Sequence, residues 1–365
     1  MKKHQPEIYK AARHVFLMED YVVFRLTGKA QIDYSLASRT MAFDIHTLDW
    51  SSQVLEAAGI EKELFSVCVP AGSMAGTVLP AAAVKTGLPK QTQIVSVSHD
   101  QVAAAVGAGA FDGSAAVDGA GTVQCLTPIY DEMPDIDQMY EGCFSVVPYV
   151  FPGTYVAYAF SYTGGALMQW CVETFAGEAK GKAREQGITA NELLEREYQE
   201  RNPDGPSGML VLPHFAGAAT PYMDIGSKGV ILGLTTASTA ADIYRGCMEG
   251  VVYEMYLNYQ SLAGSGIRFE KLHATGGGAH SAVWMQMKAD VLNLPITALK
   301  TVDAGTVGSA MLTGVAAGLF RNPEEAAEVM VEEMVTYKPR QQVHEKYMQI
   351  YERYRKLYDA VRPLM

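Results

Sequence analysis

The chain has 365 residues, 48% hydrophobic and 19% charged, enough for one large core or two ordinary ones, and domain-size statistics favour two. With 29 basic against 40 acidic side chains the net charge is −11, so no basic face is expected for nucleic acid or for an anionic membrane surface. The 5 cysteines, Cys68, Cys125, Cys143, Cys171 and Cys247, lack any short paired spacing. That argues against a zinc knuckle or a disulfide framework and predicts reduced, mostly buried thiols. No apolar run approaches the roughly 18 residues of a membrane span, and the first residues lack the apolar stretch of a signal peptide. A cytoplasmic protein is expected.

Residues 6–27 predict a helix, with Ala11, Val15, Leu17, Met18, Tyr21, Val22 and Leu26 near helical spacing and Gly28 as its terminator. Residues 47–58 predict a second helix, and residues 72–81 a turn with short extended pieces around Gly76. Gln93-Ile-Val-Ser-Val-Ser-His-Asp is a β-branched apolar run that ends on an acid and precedes an alanine-rich helix to Gly107. This is a strand, a tight junction and a helix. A new extended run from Ser114 to Asp118 passes through the turn Gly119-Ala-Gly-Thr into Val123-Gln-Cys-Leu. A domain boundary is therefore placed near Ala110, dividing the chain into 1–110 and 111–365. Lys271-Leu-His-Ala-Thr predicts another strand, running through Gly276-Gly-Gly-Ala into a helix over 281–292. Strands interleaved with helices predict an α/β architecture. In the tail, Tyr347, Tyr351, Tyr354 and Tyr358 stand at helical spacing over 341–361, as a packed surface helix requires.

Glycines at a strand-to-helix turn let backbone N–H groups approach a phosphate, and the helix N-terminus adds partial positive charge. One such turn is better explained as a tight connection; the pair at 119–122 and 276–279 brings a nucleotide site level with that reading. Neither matches a Walker A or dinucleotide fingerprint. Asp100 stands where a carboxylate at the end of a strand projects toward ligands in open α/β sheets. An aspartate there is more often a helix cap, and the adjacent His99 draws the same reading as a core hydrogen-bonding group. Asp33 is explained by turn and cap chemistry.

The order Leu26-Thr-Gly, Asp33-Tyr-Ser-Leu-Ala-Ser-Arg-Thr, Ser98-His-Asp-Gln, Gly121-Thr and Gly276-Gly-Gly-Ala resembles that of the FGGY carbohydrate kinases, from Met1 to Met365. The stretch 33–50 looks like glycerol kinases, whereas 213–222 and the carboxyl-terminal half look like the pentulose, xylulose kinase-like members. The family's second signature is similar to Gly229-Val-Ile-Leu-Gly-Leu and Asp242 to Glu249, with Gly246 and Cys247 as departures. Structural glycines and a buried glutamate explain that segment.

The resemblance implies the actin-like, ribonuclease-H-like α/β fold, with two domains around a cleft, and ATP-dependent phosphorylation of a sugar or polyol with Mg²⁺. It implies that Asp100 is the catalytic base and that Gln101, with His99 beside it, contacts substrate. It further implies that Gly121 and Thr122 form a phosphate loop, that Gly165 and Gln169 contact nucleotide, and that Gly277, Gly278 and Ala279 form the adenosine turn. Ala282 stands where some relatives carry an asparagine near adenine. No metal-ligating residue is assigned. Relatives open with a strand and an Asp-x-Gly-Thr-type phosphate hairpin that has no equivalent here. The first domain is thus expected to be incomplete and the chain inactive by itself, calling for a complementing amino-terminal fragment or self-association as a homodimer. A nucleotide-binding remnant without transfer activity and a glycerol or polyol kinase are the alternatives.

Overall fold

The computed structural model describes residues 2–203, 205–301 and 303–365. In chain order, the first helical stretch is broken into α1 (Pro6–Ala11) and α2 (Met18–Thr27). The predicted single helix fails between them because Val15 N–H donates to the Leu64 carbonyl at 2.7 Å and the His14 and Phe16 rings pack on Phe24. Gly28 ends α2 with φ of 79°, a left-handed cap that suits glycine. Next come β1 (Gln31–Asp33), α3 (Tyr34–Ala37), β2 (Phe43–Asp44), β3 (Asp49–Trp50) and α4 (Ser52–Ala58). The helix predicted from residue 47 begins only at Ser52. The Asp44 carboxylate accepts the His46 N–H at 2.8 Å and closes the turn of the β2–β3 hairpin instead. Trp50 is thereby buried with Ile32, Ala37, Ala42 and Leu55 in a small core.

The chain continues through β4 (Val67–Val69), β5 (Ser73–Thr77), α5 (Pro80–Thr86), β6 (Gln93–Ser96) and α6 (Asp100–Gly107). β1 pairs in parallel with β4, and β5 antiparallel with β6. Then follow β7 (Ala115–Ala120), β8 (Gln124–Tyr130), α7 (Ile136–Glu141), the hairpin of β9 (Val147–Pro148) with β10 (Tyr155–Val156), and β11 (Ala159–Ser161). α8 (Gly165–Phe175), α9 (Gly177–Gln186) and α10 (Ala190–Arg201) precede β12 (Leu210–Leu212), β13 (Val230–Leu232) and the long α11 (Ala240–Gly264). The carboxyl-terminal part holds β14 (Lys271–Thr275), α12 (Ala282–Leu292), β15 (Ile296–Leu299), α13 (Ala304–Ala316), α14 (Pro323–Met330), β16 (Glu333–Tyr337), α15 (Gln341–Tyr354) and α16 (Leu357–Val361).

These elements form two compact units. Unit 1 gathers Met1–Gly109, Val146–Val156 and Gly305–Met330; unit 2 gathers Ala110–Ser145, Ala157–Ala304 and Val331–Met365. In unit 2 the sheet runs β16–β15–β14–β7–β8–β11. β14 lies parallel to β7 and β15, and the β7–β8, β8–β11 and β15–β16 pairs are antiparallel. α11 is buried over most of its length. Tyr347, Tyr351 and Tyr354 of the tail pack there, their hydroxyls on Arg245, Gln260 and Glu254, while Tyr358 stacks on Tyr222 and its hydroxyl donates to Asp224. The second-signature segment is structural. Glu249 is fully buried and accepts from Arg245 at 2.9 Å and from the Ser207 hydroxyl at 2.6 Å.

Within unit 1, α13 crosses α6 at Gly308, where a Cβ would lie 1.8 Å from the Ala103 carbonyl oxygen. Three carboxyls are also sequestered there. Burial pushes Glu19 up to about 8, with the Asp33 and Asp20 charges adding to the shift and a Ser96 hydrogen bond opposing it. Burial likewise raises Asp33 to about 6 against hydrogen bonds from Ser35 and Leu36. One oxygen of each of Glu19, Asp20 and Asp33 is buried without a hydrogen-bond partner.

Two outcomes follow from this packing. Gly308→Ala forces α6 and α13 apart, and the clash outweighs the ~1 kcal/mol gained in helix propensity. A net loss of about 1–3 kcal/mol is expected, read as a lower urea midpoint. Glu19 binds its proton more tightly folded than unfolded, so its contribution is fully present below the unfolded value of 4.5 and is lost as pH rises through about 8. Glu19→Gln removes that loss: its melting temperature should exceed the parent's by about 2–4 °C in alkaline buffer and match it in acid. An unchanged difference across pH would show that Glu19 ionises freely.

Candidate active site

In unit 1, β6 delivers the chain to α6 through Val97, Ser98 and His99. His99 is the N-cap of α6, its Nδ1 accepting the Gln101 N–H at 3.3 Å. The cap function is thereby taken by the histidine, and the Asp100 carboxylate at the first helical position stays 78% exposed. Asp100 Oδ1 lies 3.1 Å from His99 Nδ1. Burial lowers the His99 pKa, against the pull of Asp100 and with a small push from Arg39, so the neutral ring that can accept from Gln101 is favoured.

The junction is tied to the amino-terminal part of unit 1. The Asp33 carboxylate caps α3 by accepting from Ser35 N–H at 2.8 Å and Leu36 N–H at 3.3 Å. It also accepts the Ser35 hydroxyl, whose oxygen in turn accepts the His99 N–H at 2.8 Å. Asp33 is therefore a cap, as its sequence context predicts, and through Ser35 it also holds the residue next to Asp100. No sequence spacing announces a contact across 64 positions.

In unit 2, three glycine-bearing segments converge. The β7–β8 hairpin turns at Gly121, Thr122 and Val123, closed by Gly121 N–H to the Val123 carbonyl at 3.2 Å. α8 starts against that turn: Gly165 N–H donates to the Gly121 carbonyl at 2.9 Å and Ala166 N–H to the Thr122 carbonyl at 3.1 Å. A Cβ on Gly165 would meet the Gly121 oxygen at 2.9 Å, and one on Gly276 the Ala120 oxygen at 2.7 Å. Gly276 also takes φ of 92°, opening the short 3-10 turn Gly277–His280 ahead of α12. The hairpin tip, the start of α8 and the 276–280 turn thus form one backbone-lined surface.

The residues singled out from sequence sit on it unequally. Gly121, Thr122 and Gly277 are exposed, and nothing lies within 4 Å of a Cβ built on Gly277, which leaves room for a ligand. Gly278 is packed against Trp284 and Ala120, and Ala279 is buried. Gly165 gives its N–H to the hairpin and packs closely against it. Gln169, one turn along α8, donates to Glu173 at 2.9 Å. Ala282, the first residue of α12, brings only a methyl group, while its neighbour Ser281 caps the helix and donates to Glu195 at 3.0 Å. Burial raises the Glu195 pKa, opposed by Ser281.

The sequence reading missed the polar cluster beneath this surface. Lys288 Nζ donates to Asp118 Oδ2 at 2.7 Å and to Gln124 Oε1 at 3.0 Å, and the Gln124 amide donates back to Asp118. A lone lysine among Trp284, Met285, Met287 and Ala289 was the available signal.

Exposed glycine-turn backbone and the Thr122 hydroxyl form a donor set that fits nucleotide phosphates. Among the described residues no group of three or more His, Cys, Asp or Glu side chains is placed to hold a metal ion, and no helix is long and apolar enough to cross a membrane.

Residues 1–107 match the N-terminal domain, and residues 140–317 the C-terminal domain, of the FGGY family of carbohydrate kinases. The xylulose kinase of Bacillus subtilis (strain 168) is 27% identical over 347 residues, covering 95% of this chain and 67% of that protein. The autoinducer-2 kinase of Enterobacter sp. (strain 638) is 29% identical over 349 residues, covering 94% and 64%. The chain thus spans about two thirds of the length of these relatives. Solved xylulose kinases from Lactobacillus acidophilus and Rhodospirillum rubrum superpose with TM-scores of 0.85 and 0.85 at 22% and 23% identity, covering 99% and 100% of this chain and 70% and 71% of theirs. The fold is the actin-like α/β fold of these sugar kinases, and the chain belongs to the FGGY family of carbohydrate kinases.

Proposed function

We propose that the protein takes part in ATP-dependent phosphorylation of a sugar, with a ketopentose such as xylulose as first candidate and glycerol or another polyol as second. The convergence of the hairpin tip, the α8 start and the 276–280 turn carries this reading, because an exposed glycine-lined backbone surface is what nucleotide phosphates need. The xylulose kinase relatives support the substrate class. FGGY sugar kinases use ATP with a divalent metal ion. Mg²⁺, the finer assignment, keeps most of its ligands as water and phosphate oxygens, and no side chain of this chain is assigned to it. When bound, it withdraws charge from the phosphoryl oxygens.

Asp100 accepts the proton of the sugar hydroxyl as that oxygen bonds to the γ-phosphorus and the bond from phosphorus to the bridging oxygen of ADP breaks. Its exposure suits it to meet a substrate, and Gln101 and His99 beside it are the candidate sugar contacts. Gly121, Thr122, Gly277 and Gly278 hold nucleotide, Gly165 and Ala279 shape the turns by packing, and Gln169 and Ala282 flank them. The free cysteines and the use of ATP suit a cytoplasmic protein. A polypeptide supplying the remaining third of the relatives' length, or a second copy of the chain, is the proposed partner.

The test is ADP release coupled to D-xylulose, glycerol and autoinducer-2 as acceptors, with Mg²⁺, for the chain alone and with that polypeptide added. Sugar-dependent ADP release is expected with xylulose, and Asp100→Asn should lower kcat by about 10²–10⁴-fold while nucleotide affinity holds. Full activity in that variant would remove Asp100 as the base. Absence of ADP binding by calorimetry would overturn the nucleotide assignment of the turns.

A further inference from the structure

Lys288, Asp118 and Gln124 are 0%, 0% and 3% exposed. A fully buried ion pair is weak grounds for stability, since desolvating both charges offsets their attraction and an apolar set of equal volume is often as good or better. Its placement suggests another use. Asp118 lies on β7 and Gln124 is the first residue of β8, so they flank the Gly121–Val123 turn on the paired strands that hold it. Lys288 lies on α12, which begins directly after the 276–280 turn. Its ammonium donates to both hairpin residues and stands 4.6 Å from the centre of the Trp284 ring, occupying its remaining face. That ring packs on Gly278, where a Cβ would lie 2.8 Å from it. One cation therefore links the stem of the hairpin to the side chain that props the second turn.

We propose that the Asp118–Gln124–Lys288 cluster is a positioning element that fixes the Gly121–Thr122 turn relative to the Gly276–Ala279 turn before nucleotide arrives. This rests on the assignment of both turns to nucleotide. The two hydrogen bonds from Lys288 set the register of helix on hairpin, and the Gln124–Asp118 bond fixes their acceptors, in a way that a purely apolar contact, tolerant of sliding, does not. Burial lowers the lysine's pKa, and Asp118 counters that shift.

The test separates positioning from stability. In the full chain, Lys288→Met alone leaves Asp118 buried without its cation and should unfold at lower temperature. The triple variant Asp118→Leu, Gln124→Leu, Lys288→Met removes every polar group and should melt at or above the parent. With Mg²⁺ present it should nevertheless bind ADP about tenfold more weakly, and its ligand-free amides at Thr122 and Gly277 should exchange about tenfold faster. Parent-like affinity and exchange in a well-folded triple variant would reduce the cluster to packing. If the triple variant does not fold, Gln124→Leu, which keeps the ion pair, is decided by the same readouts with a smaller expected change. A parent that binds no ADP defeats the nucleotide assignment instead, and exchange in the ligand-free protein then settles positioning by itself.

Discussion

Backbone meets backbone at the centre of unit 2, and the absence of a Cβ is what permits it. The Gly121 carbonyl reaches the start of α8, and the Ala120 carbonyl reaches Gly276, at distances where any side chain would have to displace main chain. Gly250 does the same in α11, where a Cβ would lie 2.3 Å from the Val211 carbonyl oxygen. Each glycine in a helix interior costs about 0.5–1 kcal/mol of conformational entropy relative to alanine. In exchange, three segments far apart in sequence share one surface without any side chain between them. Everything assigned to nucleotide on unit 2 depends on that geometry.

The two units handle buried charge differently. In unit 2 the buried acids have cations or strong donors: Asp118 has Lys288, Glu249 has Arg245, Asp290 has Arg340, and Glu254 has His214 and the Tyr354 hydroxyl. In unit 1, Asp33 is held by hydroxyl and backbone donors, and Asp20 has the Ser66 hydroxyl at 2.7 Å. Neutral donors lower a buried carboxyl's pKa less than a nearby cation does, so burial wins and Glu19 and Asp33 rise. Unit 1, the unit that carries Asp100, thus has an alkaline liability at Glu19 and Asp33, and in unit 2 burial raises Glu249 even beside Arg245.

Much of this was legible in the sequence, and the exceptions have physical causes. The strand, junction and helix from Gln93 to Gly107 stand as their pattern predicts, as do β14, its glycine turn and α12, because apolar periodicity and glycine punctuation are local signals. The breaks between α1 and α2 and between α15 and α16 were not legible. The first is enforced by a hydrogen bond to Leu64 and ring contacts, which are tertiary. The return of residues 305–330 to unit 1, with Gly308 against α6, has no local signature either. The Lys288 cluster was half legible, since a lysine inside an apolar helix demands a partner but does not name it. The resemblance supplied roles for the glycine turns, and the contacts add that the Gly165 N–H is held by the Gly121 carbonyl.

His99 and Asp100 show how a helix cap and an exposed carboxylate can be separated by a single position. Had Asp100 itself been the N-cap, its carboxylate would have been occupied by the helix's first N–H groups and withdrawn from any substrate. His99 takes that place through Nδ1, which requires an unprotonated ring, and burial secures it by lowering the ring's pKa. The Ser35 hydroxyl fixes the His99 backbone from the other side, under orders from the Asp33 carboxylate. Protonating His99 would turn Nδ1 from acceptor to donor, breaking the cap and drawing the ring onto Asp100 Oδ1 at 3.1 Å. The exposed carboxylate thus owes its availability to a neutral neighbour.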